Sequence, residues 1–161
     1  MDISSLESFE LKLRRFIETN GIKAEQLIFG ASVHTVKEAA EALGRSASDL
    51  IKSMVLVRQG EVLVAIVLGT DRVSIPKVRA VVGLPPPRAA TPREVLQLTG
   101  YPVGGVPPFG YSARTIIDTQ VMRKDVVFGG GGSPRALLGL HSAELLRATR
   151  GSVVDIRETT G

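Results

Sequence analysis

Two glycines in a proline-stiffened loop and one lysine at the mouth of an apolar run are the residues of this chain whose types and spacing could do chemistry. Residues Gly100-Tyr-Pro-Val-Gly-Gly-Val-Pro-Pro-Phe-Gly110 place four glycines and three prolines in eleven positions. Proline fixes φ and gives up its own N–H, whereas adjacent glycines reach positive φ and let a ligand approach main-chain donors. Gly104-Gly105 is therefore a candidate corner for a carbonyl or an oxyanion, although a tight structural turn uses the same letters. Lys52 stands where Ser46-Ala-Ser-Asp-Leu-Ile51 passes into the apolar run Met54–Val57. Its ammonium could hold a carbonyl, a phosphate or a developing negative charge. Alternatively, its stem covers a sheet edge while the amine reaches water. A second glycine stretch, Phe128-Gly-Gly-Gly-Gly-Ser-Pro134, fits neither the phosphate-loop nor the dinucleotide register. It reads as a flexible hairpin connection or as a second wall of backbone donors facing the first loop.

Composition removes other chemistries. With no cysteine there is no disulfide, thiolate nucleophile or sulfur-ligated zinc. The two histidines, His34 and His141, do not form a His-Glu-x-x-His pair, and no carboxylate cluster suggests a cage. No metal and no cofactor are expected. The amino terminus, Met1-Asp-Ile-Ser-Ser-Leu-Glu7, is acidic and lacks a signal-peptide core, and no apolar run approaches the ~20 residues that span a bilayer. The reading is a soluble, cytoplasmic protein with no membrane partner. Residues 1 to 50 carry 6 basic and 8 acidic side chains, while residues 72 to 150 carry 11 basic and 4 acidic. That basic half would make a footprint for phosphates if folding gathers several cations on one face, and would otherwise be a solvated surface. An aromatic content of 4% argues against a broad base-stacking platform.

The elements that must position these residues alternate between helix and strand. Ser4-Ser-Leu-Glu7 resembles a capping box ahead of Leu6, Phe9, Leu13, Phe16 and Ile17 at helical spacing, with Gly21 as terminator. Thr35-Val-Lys-Glu38 repeats the capping logic before Ala39, Ala40 and Leu43, and Gly44 follows. Met54–Val57 and Val62–Leu68 read as a hairpin of buried strands around Gln59-Gly60. Short helices start at Ser74 and Thr91 and end near Gly83 and Gly100, each with a proline in its first turn. Strands at Thr115–Asp118, Asp125–Phe128 and Ala136–Leu140, a helix over Ser142–Arg147 and a closing strand at Val153–Ile156 complete the pattern. With no internal repeat or linker, residues 1–161 read as a single mixed α/β domain.

Five ordered segments give the chain a resemblance to the YbaK and prolyl-tRNA synthetase editing-domain superfamily. They are Thr35-Val-Lys-Glu-Ala-Ala40, Ile51-Lys-Ser-Met-Val-Leu56, Gly69-Thr-Asp71, the Gly100–Gly110 loop, and Val127-Phe-Gly-Gly-Gly131 leading to Glu144-Leu-Leu146. The Lys52 segment and the Gly-Gly-Val-Pro-Pro-Phe-Gly loop are the specific ones. The resemblance implies a curved, mixed, barrel-like sheet flanked by helices and a free-standing aminoacyl-tRNA deacylase. It implies that Lys52 binds the 3′-terminal adenosine or its phosphate and orients the ester, without acting as a nucleophile. Gly104 and Gly105 would donate N–H groups to the ester carbonyl. Ser53 and Val36 would line the pocket, and the matched segments add Asp71, Val106, Pro107, Gly130, Gly131, Leu137 and Glu144 as substrate-binding positions. Where relatives often carry a serine or histidine donor, this chain reads Pro134-Arg-Ala-Leu-Leu138, and Glu144 fills a carboxylate position near the last helix.

The implied partners are the acceptor end of a mischarged tRNA and an aminoacyl-tRNA synthetase. A second site that admits small side chains would remove errors that a synthetase pocket, discriminating one methylene by only ~1 to 3 kcal/mol, lets through. Cysteine, alanine, serine and threonine esters all remain candidates. Two other classes stay open at this point: a non-catalytic module that binds aminoacyl-tRNA or a synthetase, and a hydrolase of other small acyl esters.

Overall fold

The computed structural model describes residues 2–159. Helix α1 (Ile3–Thr19) leads to β1 (Ala24–Ile28) and α2 (Val36–Leu43), and the hairpin β2 (Ile51–Arg58) and β3 (Glu61–Leu68) follows. Then come α3 (Ile75–Val82), β4 (Arg88–Ala89), α4 (Pro92–Thr99) and β5 (Arg114–Asp118). The chain closes with β6 (Val126–Gly130), β7 (Ala136–His141), α5 (Ser142–Thr149) and β8 (Ser152–Val154). It is the mixed α/β fold that the sequence pattern suggests.

Local chemistry sets most boundaries. Thr35 and Thr91 each accept the N–H of a glutamate three residues on, and that glutamate returns to the cap backbone, so α2 and α4 begin with complete capping boxes. Gly44 and Gly100 end the same helices in left-handed conformation. Helix α1 starts earlier than Ser4 suggests: Asp2 is the cap, its carboxylate accepting the Ser5 N–H at 2.9 Å. Between β2 and β3, Gln59 and Gly60 both hold positive φ, 46° and 77°, the handedness that matches the twist of a two-residue hairpin.

The strands form two sheets. The larger has the order β4-β2-β3-β5-β8, antiparallel from β4 to β3 and parallel from β3 to β8; the smaller is β1-β7-β6, antiparallel throughout. A parallel bridge between Leu50 and Phe128 links them, and no closed barrel forms among the described residues. Strand β3 is buried on both faces, which is why its sequence is continuously apolar rather than alternating. Val64, Ile66 and Leu68 pack toward α1 and α5, while Leu63, Ala65 and Val67 pack under α3.

Three sequence expectations shift, and two strands are added to them. The strand expected at Met54 begins at Ile51, placing Lys52 inside β2 rather than ahead of it. Strand β6 runs into the second glycine stretch and takes in Gly129 and Gly130. Strand β8 ends at Val154 because the N–H groups of Ile156 and Arg157 instead donate to the fully buried carboxylate of Asp118. Strands β1 and β4 carry no clear strand pattern in the sequence: both are short and largely uncovered by the core.

Candidate functional site

Strand β2 has a gap along one edge. Leu50 meets β6 at one end, and Leu56 and Val57 pair with β4 at the other, so Ile51–Met54 have no strand partner on that side. The Val55 carbonyl accepts the Ala90 N–H at 3.0 Å and therefore points outward. Residues two apart in a strand direct their peptide groups the same way, so the N–H and C=O of Ser53 also face the gap. A cavity of about 340 Å³ fills it. Its floor is apolar, built by Val33, Val36, Ala39, Leu50 and Leu137, while His34, Thr35 and Lys52 contribute polar groups.

Gly104, Val106 and Gly130 line it too. Gly104 has φ +91°, which L side chains rarely adopt, and a Cβ there would stand 3.0 Å from Cβ of His34. A Cβ on Gly130 would run into the Val106 carbonyl, so the two glycine-rich stretches are in backbone contact. They are also hydrogen-bonded, Gly132 N–H donating to the Gly105 carbonyl at 2.8 Å. The loop is anchored besides by the Tyr111 hydroxyl, which donates to the Pro107 carbonyl at 2.6 Å, and by Phe109 stacked on Phe16 of α1 at 5.9 Å.

This anchoring corrects the pairing of Gly104 with Gly105. The Gly105 N–H donates to the Pro102 carbonyl at 3.0 Å and is not available to an ester. Gly105 is instead a close-packing residue, since a Cβ there would lie 2.6 Å from the Ser133 backbone. The Gly104 N–H has no acceptor among the described residues, nor has that of Val106, so two loop amides on the cavity stay open, Gly104 being the one the sequence singled out.

Lys52 is half-buried and makes neither an ion pair nor a hydrogen bond among the described residues. Burial lowers its pKa below the ordinary lysine value, repulsion from Arg72 lowers it further, and Asp71 opposes both. Asp71 itself is paired with Arg157 at 3.8 Å. An unpartnered ammonium in a partly desolvated position is costly unless a ligand completes it.

The structure thus brings Lys52, Gly104, Val36, Ser53, Val106, Gly130 and Leu137 onto one cavity. It does not bring the rest. Pro107 is buried with its carbonyl on Tyr111, and Gly131 closes the β6–β7 turn through its N–H on Ala136 O, 2.9 Å. Glu144 accepts the Lys23 N–H at 2.6 Å and pairs with Arg147, which lowers its pKa to about 2 and makes it a joint between α5 and the start of β1. The hydroxyl nearest the second glycine stretch, Ser133, is fully buried and donates to Glu10 at 2.7 Å, leaving the floor at Leu137 apolar. His34 was not singled out by sequence as a site residue, yet it lies on the cavity with its Nδ1 beside Ser32 and 3.7 Å from Glu38. Its position directly before the Thr35 cap was the available signal. Among the described residues there is no cluster of metal-ligating side chains and no helix long and apolar enough to cross a membrane.

The family described as aminoacyl-tRNA editing domain matches residues 31–148. The uncharacterised protein YwhH of Bacillus subtilis (strain 168) is 34% identical over 120 residues, 73% of this chain and 76% of that protein. The proline–tRNA ligase of Nitratidesulfovibrio vulgaris (strain DP4) is 34% identical over 90 residues, 55% of this chain but only 16% of the ligase. A crystal structure described as a candidate trans-editing enzyme for prolyl-tRNA synthetase superposes with a TM-score of 0.86 at 34% identity, covering 99% of both chains.

Proposed function

We propose, from the premise that this chain belongs to the aminoacyl-tRNA editing domain family, that it works in trans as a deacylase that removes a small, wrong amino acid from tRNA charged by prolyl-tRNA synthetase. The observation that carries the reading is that an unpartnered ammonium, Lys52, and an unpartnered amide, Gly104, border one cavity with an apolar floor.

Lys52 holds the terminal adenosine and orients the ester. The acyl side chain points to Val33, Val36 and Leu137. Water adds to the ester carbonyl, and the oxyanion forms on the Gly104 N–H, a donor already fixed in place before charge develops. The acyl C–O bond then breaks. The proton of the attacking water passes, through the neighbouring ribose hydroxyl of the substrate, to the departing 3′ oxygen, so free amino acid and intact tRNA result. No side chain of the protein becomes covalently attached.

The floor also bears on substrate choice. A serine or threonine hydroxyl set against the floor of Val36, Ala39 and Leu137, away from the polar groups of the rim, would go unpartnered, a penalty of about 1–3 kcal/mol. An alanyl methyl meets no such cost. Purified protein incubated with tRNA carrying alanine, cysteine, serine, threonine or proline should release alanine fastest, with serine and threonine slower by about tenfold or more. Binding of all five without release of any amino acid would leave a binding module and refute the deacylase. Release from simple acyl esters at the same efficiency would refute the tRNA reading.

A further inference from the structure

Lys52 borders two cavities. The acyl cavity is one; the other, of about 430 Å³, is lined by Lys52, Met54, Val67, Arg72, Val73 and Glu158, with Ser53 at the junction. Register explains the arrangement. Lys52 pairs with Val67 and Met54 with Ala65 across the β2–β3 hairpin, so these side chains share the sheet face that α3 covers further along.

Arg72 forms no ion pair or hydrogen bond through its guanidinium among the described residues, and its nearest acid in sequence, Asp71, is held by Arg157. Its backbone is nevertheless fixed: the Arg72 carbonyl accepts the Glu158 N–H at 2.7 Å, and Val73 bridges to Arg157. The cleft therefore presents two cations close enough to repel each other, neither in a direct ion pair among the described residues although Asp71 offsets part of the repulsion on Lys52, above an apolar floor of Met54, Val67 and Val73. The group that relieves the repulsion is an anion lying between them. Guanidinium and ammonium together suit a phosphodiester, the arginine as a fork and the lysine as a point charge. The apolar floor suits a ribose or base face, and the Glu158 carboxylate at the lip can only accept hydrogen bonds, as from the amino group of a base.

We propose that this cleft binds a nucleotide unit of the tRNA acceptor strand, its phosphate held jointly by Lys52 and Arg72, so that the strand leaves the acyl cavity across the β2–β3 face. The inference rests on the deacylase reading for its substrate but assigns a separate subsite and a residue, Arg72, that the reading does not need.

The test is Arg72→Gln, with Arg72→Lys beside it, at an exposed position where the melting temperature checks folding. On alanyl-tRNA, Arg72→Gln should raise KM about tenfold or more with kcat changed less than twofold, and Arg72→Lys should recover part of the loss. The loss on the alanyl ester of adenosine, which lacks the phosphate, should be at least ten times smaller. The log–log salt dependence of tRNA binding should become shallower by about 0.7, one single-strand phosphate contact. Equal KM and salt slope for wild type and Arg72→Gln would overturn the subsite. Adenosine monophosphate distinguishes the other source of the same chemistry: inhibition sensitive to Arg72→Gln, with tRNA KM insensitive to it, would make the cleft a free-nucleotide site and overturn the strand path. Binding of uncharged tRNA is measured separately. If wild type binds it in an Arg72-dependent way but releases no amino acid from any charged tRNA, the deacylase reading fails while the subsite stands.

Discussion

Gly104 and Gly105 are adjacent, chemically identical and differently employed. The sequence singles out the pair because two glycines between prolines leave the backbone uncovered; it does not tell which amide is already engaged. That depends on the turn closing back on Pro102, which takes the Gly105 N–H and leaves the Gly104 N–H free. Gly104→Ala places a β-carbon at φ +91° and against His34, at a cost of about 1–3 kcal/mol of backbone strain. The expected outcome is a fall in kcat of at least tenfold with the fold retained, measured as amino acid release alongside circular dichroism. Unchanged kcat would show that the rate does not depend on the left-handed backbone geometry that aims the Gly104 amide. Lys52 was legible because a lysine inside an apolar run needs a reason. Asp71 and Glu144 were not separable from it, because a carboxylate paired with an arginine looks the same in sequence as one facing a ligand. Titration of Lys52 adds a direction: with its pKa lowered by burial and by Arg72, the hold on the acceptor end that the proposal gives it would be lost at a lower alkaline pH than an ordinary lysine would give. A rise in KM for alanyl-tRNA beginning below pH ~10.4, absent in Lys52→Arg, checks it.

Helix α1 supports the site from outside it. Its residue Glu10 is buried and accepts hydrogen bonds from Nε and Nη2 of Arg135, at 2.8 and 2.9 Å, together with one from the Ser133 hydroxyl, while Gln26 of β1 donates to the Glu10 and Gly131 carbonyls. The glycine turn between β6 and β7 is thereby tied to α1, and Phe16 and Phe109 tie the proline loop to the same helix. Each of these contacts joins residues at least 16 positions apart, so none was legible; only the capping boxes, the Gln59-Gly60 turn and the apolar strands, which are local, could be read. Arg135→Met would strand a buried carboxylate and should cost about 3–5 kcal/mol by denaturant unfolding. The Arg135 guanidinium holds the Glu10 pKa below its ordinary value. A carboxylate so lowered stabilises the fold above its unfolded pKa of ~4.3 and loses that contribution as pH falls through the folded value. Stability of the wild type should therefore drop below about pH 4 more steeply than that of Glu10→Gln; parallel acid limbs would show that the pair contributes nothing to folding.

Across the whole molecule, folding reassigns the basic half of the chain. Lys77, Arg88, Lys124, Arg135 and Arg147 are held in ion pairs with Asp155, Glu94, Asp49, Glu10 and Glu144, so much of the charge excess counted in sequence holds elements together rather than facing a partner. Arg88 and Glu94 show what such a pair does: they clamp β4 to the start of α4, and with them Ala89, Ala90 and Pro92 at the rim of the cavity. Two sheets joined by one bridge leave the edge of β2 open, and the open edge is where a lysine, a free amide and an apolar floor meet. The claim that this meeting hydrolyses aminoacyl esters is tested most directly by single-turnover release of alanine from alanyl-tRNA with wild type and Lys52→Ala. The account predicts release by the wild type and a rate at least ~100-fold lower in the variant; equal rates in the two proteins would contradict it.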